Sequence, residues 1–290
     1  MSLLQAHDGA GVASTADEAV LAAKEAHLHA RLEEFESLLI AYSGGVDSAF
    51  LALAASRVLP GRLLCVTADS PSYPRRHREL AERIARDFQL PHEFIQTSEM
   101  ERPEYRANPA NRCYYCKTEL YEHLSELATA RGFAAIADGS NADDRGDYRP
   151  GRQAAREFGV KSPLDDAGLT KAEIRELSRR AGLPTWDEPA SACLSSRIPY
   201  QSEVTVSKLS MIEQAEEALH RHGFRVCRVR HHETVARLEI GRDEMARALD
   251  PAVTQALVSE LKAIGYQYVC LDLQGYRTGS LNEILKLRPV

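Results

Sequence analysis

Apolar positions along the chain follow two alternating rhythms. Residues 15–37 interleave Ala and Leu with Glu, Lys and His, the spacing of an amphipathic helix. Residues 38–42, LLIAY, form a short uninterrupted apolar run, as expected for a strand covered on both faces. A helical stretch follows from Ala49. The same exchange then repeats. Residues 63–68 read as a second strand ending at Asp69. Residues 79–88 read as a helix carrying Leu80, Ile84 and Phe88, and residues 92–96 as a third strand. Residues 117–130 read as a helix with Leu120, Leu124 and Leu127 on one face, and residues 133–137 as a fourth strand ending at Asp138. Thr170-Lys171-Ala172-Glu173 has the form of a capping box and opens a helix to about residue 181. This alternation predicts an α/β fold with a parallel sheet, crossover helices, and ligands at the carboxyl ends of the strands.

The rhythm breaks at residues 183–189, LPTWDEP, and changes character afterwards. A helix over 207–222, strands over 224–230 and 235–240, a helix over 243–264 interrupted near Asp250-Pro251, and a strand over 266–273 predict a second, smaller α+β domain. The expected division is 1–186 and 187–290. No internal repeat or low-complexity tract is present in the sequence.

Composition narrows the class. The chain has 290 residues, 44% hydrophobic and 27% charged, which is a globular rather than a disordered balance. A net charge of −6 and an isoelectric point near 6.0 argue against a generally basic nucleic-acid binder. No run approaches 18 consecutive apolar residues, and the start lacks a basic segment followed by an apolar one. A cytoplasmic location is the expectation. There, paired cysteines point to metal or catalysis rather than to structural disulfides.

The most informative segment is Ser43-Gly44-Gly45-Val46-Asp47-Ser48, between the first strand and the first helix of the alternation. Two glycines let the backbone approach an anion without an intervening Cβ. The unpaired N–H groups of the following helical turn then face the phosphate oxygens, assisted by the helix dipole. Ser43 and Ser48 add hydroxyl donors, and Asp47 is placed to hold Mg²⁺ or brace the loop. No Gly-Lys-Ser/Thr follows the glycines, so this is not a Walker A loop. At the neighbouring strand ends lie Asp69 and the acidic loop Asp138-Gly139-Ser140-Asn141-Ala142-Asp143-Asp144-Arg145, suited to Mg²⁺ and to closing over a nucleotide.

Cys113-Tyr114-Tyr115-Cys116 stands immediately before a predicted helix. Two thiols at this spacing can chelate a metal, ligate a cluster or act as a redox pair. A third ligand must come from elsewhere, and Cys193 is the candidate, in a stretch of small residues with Arg197 nearby to favour its thiolate. Cys65, Cys227 and Cys270 lie inside apolar runs and are expected to be buried. Arg228 and Arg230 flank Val229 on a predicted strand and share a face, which suits a substrate phosphate. Glu239 on the next strand is their potential neighbour. A solvated strand face accounts for the arginine spacing equally well.

Together these segments resemble the LarE-type ATP-dependent sulfur transferases of the pyrophosphate-loop ATP pyrophosphatase superfamily. The resemblance rests on SGGVDS at 43–48, RCYYCK at 112–117, ADGSNADDRGDYRPG at 137–151, SPL at 162–164, GLTKAEIREL at 168–177, GLPTWDEPASACLSSRIPYQ at 182–201, RVRHHETVARLEI at 228–240 and YVCLDLQGYRTGSLNEIL at 268–285. It implies an adenine nucleotide alpha hydrolase-like domain with a small α+β domain, often assembled as a homo-hexamer. It further implies splitting of ATP to AMP and pyrophosphate with Mg²⁺, and adenylation of a carboxylate of a pyridinium biscarboxylate mononucleotide. Conversion of that carboxylate to a thiocarboxylate follows, for maturation of the nickel-pincer nucleotide of lactate racemase. Ser43, Gly44, Gly45, Asp47, Ser48, Asp69, Gly139, Asn141 and Asp144 fall in the implied ATP region, with Asp47 toward Mg²⁺. Arg228, Arg230 and Glu239 match the substrate-phosphate region. Cys193 matches the cysteine that surrenders its sulfur in single-cysteine members. Cys113 and Cys116 depart from that pattern and match members thought to hold a [4Fe-4S] cluster on three cysteines, with sulfide on the fourth iron.

Three other readings are weighed against this one. A tRNA thiolase is expected to show a basic surface or an added RNA-binding domain, and the net charge of −6 does not favour it. An NAD synthetase-like amidotransferase has no use for three cysteines. A nucleotide-binding module with a structural metal would not turn ATP over.

Overall fold

In the computed structural model, which describes residues 15–146, 150–189, 192–277 and 279–280, two separate sheets carry the fold. Parts of three quoted motifs, at 147–149, 190–191, 278 and 281–285, lie outside the described residues. The first sheet contains β1 (Leu38–Ala41), β2 (Leu63–Asp69), β3 (His92–Gln96) and β4 (Ala135–Ala137), in the order β3-β2-β1-β4 and parallel throughout. The helices are α1 (Thr15–Glu33), α2 (Val46–Val58), α3 (Arg75–Asp87), α4 (Pro103–Arg106), α5 (Arg112–Arg131), α6 (Pro150–Glu157), α7 (Pro163–Asp166), α8 (Lys171–Arg180), α9 (Val206–Arg221), α10 (Met245–Ala248) and α11 (Pro251–Ile264).

Strand β1 explains why an apolar run without alternation is a strand. Successive side chains point to opposite faces. Leu38 and Ile40 pack with Phe50 and Leu51 of α2 and with Leu28 of α1, while Leu39 and Ala41 pack with Tyr121 and Leu124 of α5. Both faces are covered, so no position is left for a polar residue. The sheet is the parallel α/β layer that the alternation predicts, and its carboxyl edge carries the glycine loop, Asp69 and Asp138.

The second sheet contains β5 (Cys227–His232), β6 (Val235–Ile240) and β7 (Tyr268–Leu271), in that order, with β5 antiparallel and β7 parallel to β6. One face carries Cys227, Val229, Leu238 and Ile240 and is covered by α9 and α11. The register places Arg228 opposite Glu239 and Arg230 opposite Arg237 on the other face. The break expected near Asp250 is a helix start: its side chain accepts from the N–H groups of Ala252 and Val253, and Pro251 occupies the first helical position.

Two expectations are corrected. Cys113 and Cys116 do not precede a helix but form its first turn, since α5 begins at Arg112 after the non-helical Asn111. Cys270 is exposed, unlike Cys65 and Cys227, because it lies on the edge strand β7, on the face away from α9 and α11. Among the described residues no helix is long and apolar enough to cross a membrane.

Candidate active site at the carboxyl edge of the parallel sheet

The glycine loop is built from close backbone contacts. Gly44 has φ +64°, and a Cβ there would stand 2.7 Å from the Cβ of Ala81. Gly45 caps α2 in extended conformation with no side chain bonded to the helix N-terminus, which leaves N–H groups directed out of the loop. The Ser48 hydroxyl accepts from the Ser43 N–H at 3.1 Å, donates to the Gly45 carbonyl at 3.2 Å and meets the Ser43 hydroxyl at 3.1 Å.

The acidic loop packs directly against it. A Cβ on Gly139 would stand 2.9 Å from the backbone nitrogen of Ser48, so only glycine lets the chain leaving β4 run this close to the first turn of α2. Asp138 is buried and fixes the approach, accepting from Tyr121 at 3.0 Å, the Ser140 hydroxyl at 3.0 Å and the Ser162 hydroxyl at 2.9 Å. Asn141 donates to Asp47 at 3.3 Å, and its own N–H is held by buried Asp144 at 3.0 Å. Asp47 also pairs with the ammonium of Lys171, which the sequence reading missed as a site residue. Asp69, at the end of β2, pairs with Arg78 at 2.5 Å and accepts from Gln96 at 3.0 Å.

Cys193 reaches this edge through a clamped turn. From the parallel-sheet side, the Ser72 carbonyl accepts from Leu194 at 2.8 Å, Tyr105 meets the Ser195 hydroxyl at 2.6 Å, and Arg112 donates to the Ser195 carbonyl at 2.9 Å. Buried Asn108 donates to the Pro199 and Ser202 carbonyls at 2.8 and 3.0 Å. From the other side, Arg197 donates to the Ala192 and Cys193 carbonyls at 2.8 and 2.9 Å while forming a two-pronged pair with Glu216. Burial opposes the ionisation of Glu216, but Arg197 outweighs it and holds the carboxyl below its ordinary range. Arg230 donates to the Ser196 carbonyl at 2.8 Å and pairs with Glu239 at 2.7 Å. Arg228, Arg230 and Glu239 are all buried, which removes the solvated-face alternative. Arg228 faces Tyr276 and the Arg197–Glu216 pair. Nearby His77 is held down to about 4 by burial and by the charges of Arg197 and Arg228.

The turn at residues 70–73 joins the two halves of the site. Tyr73 donates its hydroxyl to the Ser43 carbonyl at 3.0 Å, while Ser72 holds the residue after Cys193. The phosphate-type loop and the cysteine turn are therefore braced by adjacent residues.

Arg112, not Arg197, approaches the Cys193 sulfur, with Nη2 at 4.0 Å; Arg197 binds the carbonyl of that residue instead. Burial works against the Arg112 charge, but Cys193, Cys113, Tyr105 and Cys116 raise its pKa above the ordinary arginine value. Cys113 opens to solvent at its surface yet sits among dense protein, and that desolvation raises its thiol, with Cys193 adding and Arg112 opposing. Burial likewise raises the Cys116 thiol, with Glu99, Cys193 and Cys113 contributing. The three cysteines thus lie within reach of one another's charge, although Cys193 is remote in sequence. Among the described residues, no three His, Cys, Asp or Glu side chains gather closely enough to hold one metal ion. Only the position of Arg112 beside the cysteine pair hinted at its role. Lys171 and Asn108 gave no local signal, because their partners are far along the chain.

A family model for asparagine synthase matches residues 22–111, from α1 through the glycine loop and β3. Over 270 residues the chain is 34% identical to pyridinium-3,5-bisthiocarboxylic acid mononucleotide synthase of Lactiplantibacillus plantarum, covering 92% of this chain and 96% of that protein. The chain belongs to the LarE-type family. An uncharacterized Synechocystis protein is 44% identical over 92% of this chain and 99% of its own length. A Methanocaldococcus jannaschii protein, also uncharacterized, is 28% identical over 85% and 94%. The parallel sheet with its flanking helices is the adenine nucleotide alpha hydrolase-like fold of this LarE-type chain.

Proposed function

We propose that this LarE-type chain is an ATP-dependent sulfur transferase acting on pyridinium-3,5-biscarboxylic acid mononucleotide, in maturation of a nickel-pincer cofactor. The observation that carries the reading is the 70–73 turn, which braces the phosphate-type loop with Tyr73 and the Cys193 turn with Ser72. Residues 1–186 bind ATP in this reading, through Ser43, Gly44, Gly45 and Ser48, with Asp69, Gly139, Asn141 and Asp144 shaping the edge and Asp47 directed to Mg²⁺. Residues 187–290 bring Arg228, Arg230 and Glu239 to the substrate phosphate. A substrate carboxylate oxygen attacks the α-phosphorus of ATP and pyrophosphate leaves. A sulfur nucleophile then attacks the activated acyl carbon and AMP leaves. Adenylation is needed because a carboxylate oxygen is otherwise a poor leaving group.

Cys113, Cys116 and Cys193 form a chemically suitable donor set for a [4Fe-4S] cluster, which would supply a bound sulfide at its fourth iron. What supports this source is that Arg112, beside Cys113 on the first turn of α5, donates to the Ser195 carbonyl and approaches the Cys193 sulfur, so the helix carrying Cys113 and Cys116 meets the Cys193 turn. Cys193 alone as donor is the second reading, favoured by its partly exposed setting in a turn whose carbonyls are held by arginines. The family resemblance also carries assembly as a homo-oligomer, up to a hexamer.

The test is incubation of anaerobically prepared protein with ATP, Mg²⁺ and the biscarboxylate mononucleotide. AMP, pyrophosphate and a product with one carboxylate oxygen replaced by sulfur are expected. Release of ADP, or an amide formed only with added ammonia, would overturn the reading.

A further inference from the structure

Two of the buried arginines are answered by carboxylates, and a third is not. Arg197 pairs with Glu216, and Arg230 with Glu239. Arg112 is 3% exposed, and among the described residues no carboxylate pairs with it. Charged side chains are rarely buried unless paired, because desolvation is costly.

The neighbours of Arg112 do not supply the missing charge. Its Nη1 donates to the side-chain oxygen of Asn108 and to the Ser195 carbonyl at 2.9 Å, both neutral. Its Nε is buried and has no hydrogen-bond partner among the described residues. Its Nη2 faces the Cys193 sulfur at 4.0 Å. An aspartate at position 108 would neutralise the guanidinium, but Asn108 is committed to donating from Nδ2 to the Ile198, Pro199 and Ser202 carbonyls. Glu99, the carboxylate beside Cys116, is taken by the hydroxyls of Ser72 and Thr97. The first turn of α5, where acidic side chains are favourable, holds none. An uncompensated guanidinium against one sulfur therefore calls for negative charge on that sulfur.

We propose that Arg112 is the resident counter-cation of anionic sulfur at Cys193, either its own thiolate or a sulfide held there. Asn108 and Ser195 fix the guanidinium so that Nη2 stays with the sulfur. In the acyl transfer, a sulfur electron pair forms the bond to the acyl carbon, the acyl C–O bond to phosphate breaks, and the negative charge leaves on AMP. Arg112 keeps the anionic sulfur in position until that electrophile arrives. The proposal rests on the sulfur-transfer reading for its purpose but not for its test, which uses neither ATP nor mononucleotide.

Site-resolved alkylation tests it, on metal-free full-length protein and its Arg112→Gln and Arg112→Lys variants, with thermal melts as a folding control. Iodoacetate is anionic and iodoacetamide is neutral, so the ratio of their rates at one cysteine reads local charge whatever fraction of the thiol is ionised. Mass spectrometry of the Cys193 peptide gives that ratio, and Cys270, exposed on β7, is the internal reference that all three proteins should share. At Cys193 the ratio should fall by about threefold or more in Arg112→Gln, stay closer to wild type in Arg112→Lys, and fall with added salt in wild type. A smaller fall in Arg112→Gln would remove Arg112 from the sulfur, and an Arg112→Lys value nearer to that of Arg112→Gln would assign it to holding the Ser195 carbonyl; either overturns the proposal. Should Arg112→Gln not fold, the wild-type ratio decides. A value at least about threefold above that of neutral N-acetylcysteine amide supports the proposal, and a lower one overturns it. Protein that passes this test yet forms no thiocarboxylate would sink the sulfur-transfer reading and leave the charge assignment standing, so the two failures are distinguishable.

Discussion

Gly139→Ala is the sharpest probe of the packing between the acidic loop and the phosphate-type loop. The added methyl carbon would stand 2.9 Å from the Ser48 nitrogen and 3.2 Å from both the Ser48 Cα and the Asp47 Cβ. Ordinary carbon contacts lie near 3.5–4.0 Å, so one backbone must move by about half an ångström or more. Neither side yields easily. Asp138 is tied by Tyr121, Ser140 and Ser162, and Ser48 belongs to the buried first turn of α2. Overpacking of this kind costs about 1–3 kcal/mol. For a chain of this size that lowers the melting temperature by roughly 2–10 °C. Gly159→Ala is the matched control. Gly159 has φ +66° and open space around the added carbon, so it carries left-handed strain of about 1–2 kcal/mol but touches nothing in the site. Both variants should therefore melt earlier, while only Gly139→Ala should lose ATP–pyrophosphate exchange, by about tenfold or more. Differential scanning fluorimetry and radiolabelled exchange read the two effects separately. Wild-type exchange in Gly139→Ala, or equal loss in Gly159→Ala, would refute the reasoning.

Asp47→Ala should abolish formation of AMP and pyrophosphate with little change in melting, since its partly exposed pair with Lys171 contributes at most about 1 kcal/mol; a large drop in melting would show a structural role. Anaerobically reconstituted protein should be brown with about four irons per chain, and Cys113→Ala, Cys116→Ala and Cys193→Ala should each reduce iron content. Iron-free protein with full single-turnover activity, together with dehydroalanine at Cys193, would overturn the cluster. His77 should make stability pH-dependent. Its folded value of about 4 lies below the ordinary value near 6.5, so the unfolded chain takes up the proton first. Stability should therefore fall as pH is lowered from about 6.5 to about 4, and denaturant titrations of His77→Gln should show a smaller fall than wild type.

Local pattern carried the parallel sheet far because burial on two faces leaves a plain signature: β1 has no polar position to confuse it. The glycine loop was equally legible, since its neighbours in sequence are also its neighbours in space. What escaped was decided by distant partners. Arg197 lies four residues from Cys193, yet Glu216 and the turn carbonyls claim its guanidinium, leaving Arg112 beside the sulfur. Lys171 reads only as the residue after a helix cap, because Asp47 is 124 positions away. Cys270 misled for another reason: an apolar run on an edge strand resembles a buried one, but here the run exposes one face.

The buried charges around the Cys193 turn are better understood as a positioning device than as a source of stability. A buried ion pair seldom outperforms well-packed apolar residues of similar volume, because desolvation consumes the Coulombic gain. Arg197 and Arg230 do something that an apolar residue cannot: they grip the carbonyls of Ala192, Cys193 and Ser196, while Glu216 and Glu239 hold the guanidinium groups in place. Ser72 in the turn after β2 and Arg112 at the start of α5 hold Leu194 and Ser195, and Asn108 holds the Pro199 carbonyl just beyond. A turn with little regular structure is thus held by polar contacts from the turn after β2 and α5 on one side and from β5 and α9 on the other. Acyl transfer gains most when nucleophile and electrophile are held in place before reaction. In the proposed chemistry, the adenylate forms over the glycine loop and sulfur must arrive from Cys193 or from a group that it helps hold. Tyr73 on one side of the 70–73 turn and Ser72 beside it make that encounter a property of the fold rather than of a mobile segment.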